Sequence, residues 1–162
     1  MTAYDLAAWS DFANTVAGGA SALAGLLFVG LSLNLTEVLA HPGVPARAAV
    51  TLGLSIAILI TAVLVATPGQ DHRVLAVEIG ALGICIAGGA VVAGLYQRDG
   101  RSRARTVYMT LVPLVPALLL IAGAVSMWVL RGGGLYWISA AVATGFVSAS
   151  ANAWVLLVEI KR

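Results

Sequence analysis

The sequence predicts an all-α integral membrane protein. It reads as a five-transmembrane-helix bundle in one domain, residues 1–162, with the N-terminus outside and the C-terminus in the cytoplasm. Three observations lead there. The 162-residue chain is 60% hydrophobic and 10% charged, with a mean hydropathy of +0.99, whereas a soluble domain carries about 25% charged residues. The apolar residues fall into five runs long enough to cross a bilayer. The Lys and Arg residues gather in alternate connections.

A helix rises about 1.5 Å per residue and the hydrocarbon core is about 30 Å thick, so a span takes roughly 20 apolar residues. Period-2 alternation is absent, and lipid admits only helices or closed barrels. The first span is 13–35. The residues before it, MTAYDLAAWSD, hold Asp5 and Asp11 and no Lys or Arg. A cleavable signal opens on positive charge, so this run is expected to stay in the membrane. Pro42 and Pro45 in NLTEVLAHPGVPAR stop the first helix, and the second span follows at 48–67. PGQDHR turns the chain into the third span, 74–96. The basic stretch QRDGRSRART leads to the fourth, 107–130, and Arg131 with Gly132, Gly133 and Gly134 leads to the fifth, 135–158. The short second and fourth connections predict antiparallel neighbours.

Orientation follows from basic residues. Arg47, Arg98, Arg101, Arg103, Arg105, Lys161 and Arg162 fall on one side, and Arg73 and Arg131 on the other. The richer side is cytoplasmic by the positive-inside rule. Trp9, Phe12, Tyr136 and Trp137 then belong to the outer interface and Tyr96 and Tyr108 to the inner one.

Lipid tails are as apolar as Leu, so helices in a membrane associate through close backbone approach and polar contacts. Small residues on one face are therefore the signal for packing. In the third span Ala76, Gly80, Gly83, Ala87, Ala90 and Gly94 form one stripe at spacings of four and three. They predict a helix–helix contact, with a partner in the same chain or another. Asn14, Gly18, Ser21, Gly25 and Ser32 form a polar stripe on the first span. Ala141, Gly145, Ser148 and Asn152, extended by Glu159, form another on the fifth. These two suit interior packing, a hydrated groove or an oligomer seam. Pro113 and Pro116 predict a kink in the fourth span.

Glu78 is the one formal charge the reading places within a span. Intramembrane ionisable groups point to function, yet Glu78 lies about 7 Å below the outer interface by helical rise. It also sits roughly 200° round from Ala76. It is expected to reach water, to pair with Arg73 or Arg131, to serve an ion or proton, or to contact a partner. Asn152 is expected to satisfy its amide across a helix pair. Cys85 lies alone in an apolar run and reads as a packing residue. His41 and His72 lie on opposite sides and cannot share a metal, so no metal and no cofactor are expected. Gly-x-Ser-x-Gly, His-Glu-x-x-His and the nucleotide loop Gly-x-x-x-x-Gly-Lys are absent, which argues against an enzyme. The Arg-rich connection is short and without aromatic neighbours, so it reads as a topology determinant at an anionic leaflet and not as a nucleic-acid site.

The segment FANTVAGGASALAGLLFVGLSLNLTEVL, residues 12–39, resembles the opening of a family of small actinobacterial membrane proteins with a GLLFVxxSLNL first helix. Some members carry the automatic name modulator of the FtsH protease. The resemblance implies a bacterial plasma membrane and a regulatory protein partner, and it transfers no catalytic residue. Sequence and resemblance together lead to the expectation of a non-enzymatic protein that works by helix–helix assembly, as a homo-oligomer or as an accessory subunit of a membrane complex. The alternative is a small oligomeric channel or transporter in which the stripes of the first and fifth spans line a path and Glu78 stands near its outer mouth.

Overall fold

A computed structural model describes residues 2–40, 44–96 and 103–160. The described chain is helical, without a strand. Two short 3-10 turns, Thr2–Tyr4 and Ala7–Trp9, precede α1 (Ser10–Leu33), α2 (Leu35–Ala40), α3 (Val44–Ala66), α4 (His72–Tyr96), α5 (Arg103–Val129) and α6 (Gly134–Ile160). Five of these, all but α2, are long and apolar enough to cross a membrane. Alternate connections therefore lie at two ends, here called the N-terminal end (residues 2–9, 67–71 and 130–133) and the opposite end.

Each helix extends close to its expected span, and the largest shifts are informative. The first helix ends two residues early because Asn34 turns its amide back, Nδ2 donating to the Gly30 carbonyl at 2.8 Å. The short helix α2 follows where a loop was expected. Its Val38 packs with Val44, Ala48 and Leu156. At the start of α3, Pro45 occupies the first turn, where its missing N–H costs nothing. The helix therefore begins four residues before the apolar run. That brings Arg47 into the helix, 6% exposed, and Glu78 is not the only charge within a membrane-crossing helix. α5 runs as one helix through Pro113 and Pro116, and both prolines are buried.

The packing order differs from the order of connections. The closest pair is α4 with α5, joined by the long basic connection; α5 packs on α6, α6 on α3, and α3 more loosely on α4. These four helices form a ring, and α1 leans on α3 from outside it. The reason is side-chain size. A Cβ placed on Gly83 would stand 2.9 Å from Ile121 Cγ1 and 3.1 Å from the Ala117 carbonyl oxygen, and one on Gly80 would meet Ala124 at 3.4 Å. The α5 backbone and the Ile121 side chain thus come against α4 along a stripe where α4 carries no bulk. Short links keep α3 and α4 neighbours, but a groove of about 400 Å³ separates them, lined by Gly53, Ala57, Cys85 and Gly89 and reached by Pro113 of α5. Cys85 is exposed there and does not pack in the interior.

The largest buried cluster lies toward the N-terminal end, where Ala13, Leu75, Ile79, Met127, Leu135 and Ile138 meet, with Tyr4 and Trp9 packed over them. The two 3-10 turns close that end. Gly132 and Gly133 take φ of 85° and 89°, which only glycine adopts cheaply. The turn they make points the Gly133 N–H at the Tyr4 hydroxyl, to which it donates at 2.9 Å.

Candidate functional site

The residues singled out from the sequence do not converge on one site. The stripe of α4 is spent inside the chain: Ala76, Gly83 and Ala90 are buried, and Gly80 and Ala87 are half-buried, against α5 where Gly80 and Gly83 define the contact. Gly94 lies in the helix, outside the described side chains, as do Glu159, Tyr96 and Tyr108. The α6 stripe also turns inward. Ala141 and Asn152 are buried, and a Cβ on Gly145 would stand 3.1 Å from Ile58 Cδ1 of α3 and 3.8 Å from Pro116 Cβ of α5. Ser148, half-buried, lines a shallow groove between α5 and α6 with Thr144, Leu111 and Val115.

The α1 stripe behaves in the opposite way. Buried positions on this helix are Ala13, Val16, Ala20 and Leu27. Asn14, Gly18, Ser21, Gly25 and Ser32 are all exposed, and a Cβ on Gly18 or Gly25 would meet nothing within 4 Å. Interior packing, one of the uses expected of this stripe, is therefore not its role within the chain. The polar stripes of α1 and α6 do not face one another either, since one looks away from the bundle and the other into it.

Glu78 finds an unanticipated partner. Gln70, in the turn before α4, donates from Nε2 to Glu78 Oε2. Arg73 instead lies over the Trp128 ring, 5.8 Å from its centroid, and Arg131 gives its carbonyl to the Ser126 hydroxyl. Beside this turn lies a cleft of about 580 Å³ between the N-terminal turns and the end of α3, with Tyr4, Asp5, Thr67, Gln70, Asp71 and His72 on its walls. Asp71 accepts from the Arg73 N–H at 2.7 Å, and its other oxygen is 3.7 Å from His72 Nδ1. The backbone hydrogen bond from Arg73 is the main reason its carboxyl titrates below the usual carboxylate range, outweighing a smaller upward effect of burial. For Tyr4 burial acts upward, but hydrogen bonds with Ser126, Gly133 and Gly134 together bring the phenol below its ordinary value. Among the described residues no three His, Cys, Asp or Glu side chains gather as a metal site would need.

At the opposite end the interior is polar. Arg47, Thr51 and Ser55 follow one another at spacings of four along α3 and are buried, as is Asn152 on α6. Thr51 and Ser55 donate to the carbonyls of Arg47 and Thr51, at 2.9 and 3.1 Å. Asn152 Oδ1 is buried without a hydrogen-bond partner. Sequence reasoning missed Arg47 because the two prolines before it suggested a loop. The four-residue spacing Arg47, Thr51, Ser55 was the signal that the helix had already begun.

Comparison with known proteins returned no matching family model, no matching curated protein and no matching solved structure.

Proposed function

We propose that this chain is a non-enzymatic multi-pass protein of a bacterial plasma membrane, N-terminus outside and C-terminus inside, that works by assembly through the outward face of α1. One observation carries the reading: Asn14, Gly18, Ser21 and Gly25 form a small, polar stripe that faces away from its own bundle and has nothing against it. In hydrocarbon such a face gains by meeting another helix, because glycines allow backbones to touch and each interhelical hydrogen bond contributes about 0.6 kcal/mol on average. The other small stripes are used within the chain. The asymmetry of seven basic residues against two supports the orientation. The first-helix resemblance supports a regulatory role, with a second copy or a larger membrane complex as the partner. A conducting path through a single chain has less support, since the buried hydroxyls of Thr51, Ser55 and Thr61 donate along their own helix.

The test is native mass spectrometry from lipid nanodiscs. Gly18→Leu combined with Gly25→Leu should shift the protein from its assembled form to the monomer while leaving its thermal stability unchanged. Unchanged assembly in that variant, together with ion flux in liposomes that Glu78→Gln or Asn152→Ala abolishes, would favour transport instead.

A further inference from the structure

A second surface, independent of the α1 face, lies between α3 and α4. The two helices meet near the N-terminal end, where Val65 shares a buried cluster with Leu75 and Ala76 beside the short turn between them. Toward the opposite end they part, and the groove of about 400 Å³ opens. Small residues make the gap. Gly53 and Gly89 are exposed on its two walls, and a Cβ on either would meet nothing within 4 Å. Pro113 of α5, which is buried, forms its floor, and Ile56, Ile60 and Cys85 are exposed along it. The α3 wall runs from Ala49 to Ile60, about 16 Å at the helical rise. That is about the depth of one leaflet, half of a hydrocarbon core about 30 Å thick.

These dimensions select the occupant. A volume of about 400 Å³ spread over about 16 Å leaves a section of about 25 Å². A helix about 10–12 Å across does not fit within that section, whereas an extended hydrocarbon chain does. Water finds too few polar partners on such walls, and an empty apolar slot forfeits dispersion contacts along its lining. The packed turn shuts the groove at the N-terminal end, so a chain enters from the other. There the sequence supplies charge: residues 97–106, which follow α4, hold Arg98, Arg101, Arg103 and Arg105 against Asp99. Basic clusters directly beside a membrane span draw anionic headgroups. We propose that the α3–α4 groove is a binding site for an anionic phospholipid, with one acyl chain laid along Gly53 and Gly89 and the phosphate at the end where the basic segment follows α4. The lipid fills the space at the loosest contact of the four-helix ring.

Native mass spectrometry tests the site on the full chain, released from nanodiscs that hold phosphatidylglycerol and phosphatidylcholine with the same acyl chains. The parent protein should retain one phosphatidylglycerol per chain, several-fold over phosphatidylcholine. Gly53→Leu combined with Gly89→Leu fills the groove and should lower that retention at least tenfold without lowering Tm. Equal retention of the two lipids by the parent, or undiminished retention by the double variant, would overturn the proposal. A double variant that turns monomeric would also overturn it, and would give the groove to a second copy of the chain. If the double variant cannot be isolated, the parent protein decides. Phosphatidylglycerol with a diazirine midway along its chain should cross-link to 49–60 and 82–90 several-fold more than the matched phosphatidylcholine, and equal yields overturn the site.

Discussion

Asp71 and Glu78 sit seven residues apart, yet the chain treats the two carboxylates differently. Asp71 takes the Arg73 N–H at the start of α4, as acidic residues do at helix N-termini. A carboxyl held below its unfolded value, about 3.9, stabilises the fold fully above that pH, and the contribution is lost as pH falls through the lowered folded value. Asp71→Asn should therefore lower Tm at pH 7, with the gap to the parent protein closing as pH drops below about 4. A gap that is constant from pH 3 to pH 7 would mean the asparagine and the aspartate cap alike. Glu78 is held by the Gln70 amide, which an uncharged side chain can also engage. Glu78→Gln should change stability by no more than about 1 kcal/mol, and Glu78→Leu, which leaves the Gln70 amide unanswered, by about 1–3 kcal/mol, both read from thermal melts in nanodiscs. At this scale the sequence was only partly legible. The charge of Glu78 stood out in its apolar run, but its partner lies in a turn whose path no periodicity describes. Arg47 was hidden because proline both stops helices and starts them, and only the register of α3 tells which.

The helices themselves were readable because lipid imposes a length and forbids most alternatives. Their neighbours were not, because a small-residue stripe states that something comes close without stating what. Gly83 illustrates the limit: the stripe marked it as a contact, and α5 proved to be the partner, across the Arg-rich connection. The short-linked α3 and α4 stand apart around Gly53 and Gly89. This makes α4 its own control. Gly83→Leu would press on Ile121 and on the Ala117 carbonyl, and overpacking of this kind costs typically about 1–3 kcal/mol, occasionally more. Gly88→Leu, on the same helix with nothing within 4 Å, should cost close to nothing. Thermal melts of the two variants in one lipid should separate by several degrees; equal melts would mean α4 and α5 do not meet through this stripe. The N-terminal turns give a second element-scale expectation. Tyr4→Phe removes the acceptor of the Gly133 N–H, and an unpaired backbone group of this kind costs about 1–3 kcal/mol. Hydrogen exchange at Gly133 should rise while exchange in the middle of α6 does not.

For the molecule as a whole, the decisive asymmetry is between the ring of α3, α4, α5 and α6 and the helix outside it. In α3, 50% of the most apolar stretch is buried within the chain, against 17% in the first span, so α1 has the larger surface free for lipid or a partner. Two parts of that surface differ in chemistry. Leu26 and Leu33 are large, apolar and exposed, and hydrocarbon satisfies them. Asn14, Gly18, Ser21 and Gly25 are small and polar, and hydrocarbon does not. Nitroxide labels distinguish the two in native-like bilayers. A label at position 26, about 140° round the helix from Ser21, should show the oxygen accessibility of lipid in any assembly state. A label at position 21 should be shielded in the assembled protein and should gain oxygen accessibility when the sample is diluted into excess lipid or when Gly18 and Gly25 are both changed to Leu. Equal accessibility at 21 and 26 in the undiluted membrane would remove α1 as the assembly face. The ring would then be left as a closed unit, with the α3–α4 groove as the next surface to label.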